Sequence, residues 1–260
     1  MSAVSRRLAV VTGGSTGIGR AIVNTLAREG WDVAFSYISR PHEAEQTATS
    51  ARAAGADVLF AQCDVGIKAD VDAFYDRVAA WRGAPDLLVN NAGVQTWAPL
   101  LELEEDSWDR VIRTNLKGCF LNTQNVARRL VSAGKPGAIV NIGSGCNKLA
   151  FPRLVDYTAS KGGIEQFTKV AAIELGPHAI RVNCVAPGAI EIERTQAEAG
   201  DYAGTWSAIT PLRRIGQTQD VADVVLYLAS PGASFITGQT LWVDGGVFTQ
   251  ANWPYEKPGA

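Results

Sequence analysis

Residues 8–19 read LAVVTGGSTGIG: four apolar residues, a threonine, then a turn with glycines at 13, 14, 17 and 19. A short apolar run that stops at such a turn reads as a buried strand, and the spacing of residues 18–29 reads as a helix. Strand, glycine turn and helix in this order open a βαβ unit. Glycines let the backbone turn tightly and approach a pyrophosphate, whose charge then meets the free N–H groups and the dipole of the helix start. The pattern T-G-x-x-x-G-x-G is therefore a candidate cofactor cradle. Its contact residues are Gly13, Ser15, Thr16, Gly17, Ile18 and Gly19.

Outward from this stretch the alternation continues. Strands are predicted at 7–12, 31–37, 57–62, 86–89, 138–142, 181–185 and 240–243, with helices at 41–54, 70–81, 106–132, 157–175 and 217–229. Proline at 41 suits a first helical turn. Such βαβ alternation favours a parallel sheet, because each right-handed crossover packs a helix back on the sheet. The expected fold is a single-domain α/β Rossmann fold over 1–260, a doubly wound parallel sheet with helices on both faces. After Pro187-Gly188 the pattern loosens, and residues 189–211 read as a mobile substrate lid. The tail, residues 247–260, carries Phe248, Trp253 and Tyr255, aromatics that need a surface on their own domain or on a neighbouring subunit.

The 260 residues are 47% hydrophobic and 19% charged, enough for a large core, and no apolar run approaches the roughly 18 residues of a membrane span. A formal charge of −2 offers no broad basic field for nucleic acid or an anionic membrane, so small molecules are the expected partners. The four cysteines have neither disulfide-framework nor zinc-site spacing, and the two histidines sit in no catalytic or metal constellation. No metal site is expected. No export signal is visible, and the expected location is cytoplasmic.

Proton chemistry must then come from elsewhere. Residues 144–161 read SGCNKLAFPRLVDYTASK. Tyr157 and Lys161 are four apart and share one face of a helix, where an ammonium favours the charged form of the neighbouring phenol. Ser144 supplies a hydroxyl for the same substrate oxygen. Taken alone, the short motif favours an ordinary surface pair, and the rest of the chain decides.

Together, T-G-x-x-x-G-x-G, the N-N-A-G at 90–93 and Ser144…Tyr157-x-x-x-Lys161 resemble the short-chain dehydrogenase/reductase family, in the family's order and over nearly the whole chain. The resemblance implies a nicotinamide cofactor and hydride exchange with a carbonyl or secondary alcohol. Tyr157 matches the acid/base, Ser144 the hydroxyl that polarises the substrate oxygen, Lys161 the residue that assists the tyrosine and holds the nicotinamide ribose, and Asn115 the link to a proton-relay water. Asp64 and Val65 match the adenine contact, Asn91, Ala92 and Gly93 the cofactor groove, and Pro187, Gly188 and Ile190 the segment that holds the nicotinamide amide. Many relatives have I-x-T here; this chain has Ile190-Glu191-Ile192, and the nearest threonine is Thr195.

The end of the second strand, Tyr37-Ile38-Ser39-Arg40, has no carboxylate for a ribose hydroxyl. Ser39 and Arg40 suit a 2′-phosphate instead, with Tyr37 a further cofactor contact, so NADP is preferred, with NAD possible. The chain is similar to bacterial glucose dehydrogenases and acyl-carrier-protein ketoreductases of the family, which leaves a sugar and a ketone or 3-oxoacyl substrate open. Ser144, Tyr157, Trp97, Asn147, Phe151, Glu191, Glu193 and Trp206 are the candidate substrate contacts. The alternative from another class is a non-catalytic nicotinamide-binding sensor. Relatives commonly form tetramers through the helices at 106–132 and 157–175, so a homotetramer is expected.

Overall fold

All four residues of strand β1 (Leu8–Val11) are buried, as a strand covered on both faces requires. Their side chains alternate, Leu8 and Val10 joining one apolar cluster and Ala9 and Val11 another. The computed structural model of the chain describes residues 6–193, 195 and 200–251. The first half runs α1 (Gly17–Arg28), β2 (Asp32–Tyr37), α2 (Pro41–Ala53), β3 (Val58–Gln62), α3 (Lys68–Arg82) and β4 (Leu87–Asn90). The second runs α4 (Glu105–Val111), α5 (Gly118–Ser132), β5 (Gly137–Ile142), α6 (Val155–Leu175) and β6 (Ile180–Pro187). Then come β7 (Ile190–Glu191), α7 (Tyr202–Ile209), β8 (Gly216–Gln217), α8 (Thr218–Ala229) and β9 (Thr240–Val243).

Seven strands form one parallel sheet in the order β3-β2-β1-β4-β5-β6-β9. On one face α1, α2 and α8 bury Ile22, Leu26, Ala48 and Val225; on the other α3, α5 and α6 bury Phe74, Val78, Leu130 and Ala172. Burying each large aliphatic contributes roughly 1.5–3 kcal/mol. The doubly wound fold is the expected one. The order reverses between β1 and β4, and a ligand crevice opens beyond the carboxyl ends of strands at such a point.

The helix expected as one rod over 106–132 is interrupted. Between α4 and α5 the segment Ile112–Lys117 widens into a π-helical turn. Two contacts account for it: Gly118 lies so close to Val65 that a Cβ there would come within 2.8 Å of Val65 Cγ2, and Asn115 turns inward to the backbone at Val94. The described part of the 189–211 segment carries regular structure. Near its start, β7 forms a two-residue parallel ladder with β8, which lies beyond its end, Ile190 opposite Gly216 and Glu191 opposite Gln217. Helix α7 inside it is capped by Asp201, which accepts from Gly204 N at 2.9 Å. Positions 194 and 196–199 of this segment, and Trp253 and Tyr255 of the tail, lie outside the described residues.

Candidate active site

The glycine turn is held by hydrogen bonds from two neighbouring strand ends. Gly14 N donates to Ser36 O at 2.9 Å, and Gly13 N to Ser36 Oγ at 3.3 Å. From β4, Asn91 Nδ2 donates to the carbonyls of Thr12 and Gly13 at 2.9 and 3.0 Å, while Thr12 Oγ1 accepts from the N–H groups of Asn91 and Ala92 at 3.0 Å each. Gly13 has φ +66° and Gly17 φ +52°, a region that disfavours side chains. A Cβ on Gly19 would fall 2.1 Å from Gly13 O. Thr16 caps α1 without a side-chain bond, so the first-turn N–H groups remain available for an anion. These features fit a nicotinamide dinucleotide, whose pyrophosphate needs a close backbone approach and N–H donors.

Around the rest of that cradle, Tyr37 ends β2 with its ring 6.1 Å from Phe60, and Ser39 and Arg40 are exposed beyond it. Among the described residues Arg40 has no ion-pair partner. Asp64 accepts from Gly66 N at 2.9 Å and lies 3.7 Å from Arg113; Val65 is buried beneath Gly118. Pro187 ends β6, Gly188 N donates to Val243 O at 2.9 Å, and Ile190 is buried. Thr195 closes a local turn, its hydroxyl accepting from Ile192 N at 3.0 Å. The segment after β7 reaches the glycine turn differently: Ile192 Cγ2 would lie 3.4 Å from a Cβ on Gly17, and Glu193 pairs with Arg20 at 3.1 Å. Arg20 also donates to Ser15 O at 2.9 and 3.0 Å.

The candidate proton-handling side chains lie just after β5, in the widened turn at Ile112–Lys117 and along α6. Lys161 is buried, its Nζ 2.7 Å from Ile142 O and 5.4 Å from the ring centre of Tyr157. The i, i+4 spacing thus yields the contact expected of it. Asn115 is buried with its amide fully oriented: Oδ1 accepts from Val94 N at 2.8 Å, and Nδ2 donates to Val94 O at 2.9 Å and Ser160 Oγ at 3.0 Å. Ser160 Oγ in turn donates to Tyr157 O at 2.7 Å. Ser160 was no sequence candidate, although its place one turn after Tyr157 was the available signal. Ser144 ends in an extended conformation, its Oγ accepting from Cys146 N at 3.3 Å and its N–H donating to Asn147 Oδ1 at 3.1 Å. Asn147 Nδ2 donates to Cys184 Sγ at 3.4 Å, so this side chain brackets the serine loop. Burial raises the thiols of Cys146 and Cys184 and pushes Cys119 to about 12, which leaves them neutral beside the lysine.

Of the substrate candidates, Phe151 and Trp206 converge on Phe248, with ring centres 5.6 and 6.4 Å from it. Trp97 is 57% exposed on a loop joined to Arg153 by the bond from Ala98 N to Arg153 O at 3.0 Å. Glu191 accepts from Gln217 Nε2 at 3.0 Å on the β7–β8 ladder.

A half-buried Tyr157 and Ser144, with buried Lys161 and Asn115, beside a glycine cradle fit a class of nicotinamide-dependent oxidoreductases, and the chain belongs to the short-chain dehydrogenase/reductase family. Residues 13–248 match the family model described as enoyl-(acyl carrier protein) reductase. The chain is 39% identical over 240 residues to the 3-oxoacyl-(acyl-carrier-protein) reductase FabG of Staphylococcus aureus, covering 92% of this chain and 97% of that protein. Its structure resembles an acetoin dehydrogenase from Enterobacter cloacae with a TM-score of 0.88 at 35% identity, covering 98% of this chain and 100% of the other. A putative gluconate dehydrogenase from Agrobacterium tumefaciens gives 0.89 at 33%, covering 94% and 97%. The chain is thus an enzyme that exchanges hydride between a nicotinamide cofactor and a carbonyl or alcohol.

Proposed function

We propose that the enzyme is an NADP-preferring reductase of ketone or 3-oxoacyl substrates, with Tyr157 as its acid/base. The observation that carries this reading is the Lys161 ammonium, fixed 2.7 Å from Ile142 O and 5.4 Å from the Tyr157 ring. Nicotinamide, when bound, supplies the hydride. Tyr157 gives its phenolic proton to the substrate oxygen, and Ser144 Oγ holds that oxygen by a hydrogen bond. The Lys161 charge stabilises the negative charge left on the phenol. Asn115 keeps the widened turn before α5 facing this group, and Ser160 fixes Asn115. In the reverse direction the same groups take the proton from an alcohol.

NADP preference is supported by an exposed Arg40, without an ion-pair partner among the described residues, and by the absence of a carboxylate at the end of β2. The relatives named as a 3-oxoacyl reductase and an acetoin dehydrogenase support a ketone. The segment from 189 to 211 is the lid. Exposed apolar side chains on the α5 and α6 faces, Phe120, Val170 and Ile173, support a homotetramer, to be read by light scattering. Four free cysteines support a cytoplasmic site. The test is reduction of a ketone panel with NADPH and NADH. The reading predicts faster use of NADPH, and replacing Arg40 with alanine raises the KM for NADPH with little effect on that for NADH. Equal use of both cofactors, unmoved by the substitution, contradicts the NADP assignment.

A further inference from the structure

Phe248, beyond the last strand, is positioned by Asp244, whose carboxylate accepts from Gly246 N at 2.9 Å and Phe248 N at 3.0 Å. That turn carries the ring back over the loop after β5: a Cβ on Gly145, the residue next to Ser144, would land 2.3 Å from Phe248 Cε2. Around it stand Phe151 at 5.6 Å, Trp206 of α7 at 6.4 Å and Trp242 of β9 at 6.5 Å, all in edge-to-face geometry. Each of these four rings is half-buried. Phe248 thus lies against the residue next to the serine that holds the reacting oxygen, and rings from three other parts of the chain surround it.

We propose that Phe248 is a specificity residue, the centre of an aromatic wall that receives an aryl or extended alkyl substituent on the substrate carbonyl. This rests on the ketone-reductase reading above and deepens it. A polyhydroxylated sugar needs polar partners for each buried hydroxyl. The amide of the serine loop, Asn147, is bonded at both ends, accepting from Ser144 N and donating to Cys184 Sγ of β6. An aryl group gains edge and face contacts with the rings at no such cost.

The experiment compares acetophenone with butanone, both reduced with NADPH, for the wild type and for Phe248→Ala, Phe248→Leu and Gly145→Ala. The selectivity for acetophenone, the ratio of the two kcat/KM values, falls about tenfold when the wall loses one aromatic contact. Gly145→Ala, which displaces the ring while keeping it, lowers the ratio in the same direction. A loss shared equally by both ketones overturns the proposal, as does preferential oxidation of glucose by the wild type. Quenching of tryptophan fluorescence by acetophenone in the NADPH-loaded protein reads the wall without turnover. If no ketone is reduced, the catalytic reading fails, while tenfold weaker quenching in Phe248→Leu still supports the wall and unchanged quenching overturns it.

Discussion

Replacing Thr12 with valine removes a hydroxyl and almost no volume, from a residue only 2% exposed. That hydroxyl accepts from the N–H groups of Asn91 and Ala92, both at 3.0 Å, and donates to Val89 O at 3.4 Å. Valine leaves two backbone donors without partners where β4 ends. Each orphaned donor costs about 1–3 kcal/mol, and both residues are half-buried, so the lower end applies and the sum is about 2–3 kcal/mol. For a chain of this size that lowers the melting temperature by roughly 5–10 °C. Asn91 also holds the carbonyls of Thr12 and Gly13, so the glycine cradle loosens with it. Each 1.4 kcal/mol lost from the bound state raises the Kd for NADPH about tenfold. Thr12→Ser keeps the hydroxyl and loses one methyl, at about 1 kcal/mol. Thermal melts of the two variants and a fluorescence titration with NADPH measure both effects. A Thr12→Val protein that melts at or above Thr12→Ser would refute the reasoning.

Gly19→Ala places a Cβ 2.1 Å from Gly13 O and 2.5 Å from Asn91 Nδ2, so the turn must open; NADPH binding weakens at least tenfold by titration. Ser160→Ala leaves Asn115 without its side-chain partner and removes the side-chain donor to Tyr157 O; kcat falls about tenfold with KM for NADPH little changed, and Ser160→Thr restores part of kcat. Burial pushes the thiols of Cys63 and Cys119 up to about 12, so above about pH 8.5 the unfolded chain loses protons that the folded chain keeps. Stability then falls with rising pH, by up to about 1.4 kcal/mol per unit for each thiol, and Cys119→Ala shallows the slope in urea melts between pH 8.5 and 10.

The alternation of apolar runs, glycine turn and helical spacings made the sheet legible, because a strand covered on both faces must be apolar throughout, as Leu8–Val11 and Leu87–Asn90 are nearly so. Lys161 beside Tyr157 was legible for the same local reason, since four residues of helix bring them together. The widened turn at Ile112–Lys117 was not, because its cause lies in Val94 and Val65, far off in sequence. The helix Tyr202–Ile209 was hidden in a stretch of small residues without apolar spacing, and its cap at Asp201 was the one local signal. Phe248 reads as a loose tail aromatic until the Asp244 turn carries it back to Gly145.

The central claim is that the Tyr157 phenol moves the proton while the cradle holds the cofactor independently of it. Turnover of a reducible ketone by Tyr157→Phe, followed at the absorbance of NADPH, tests this most directly when paired with NADPH titration of the same protein. The account predicts a loss of kcat of at least about a hundredfold, in the range a positioned acid contributes, with NADPH still bound. Turnover within a few fold of the wild type would contradict it.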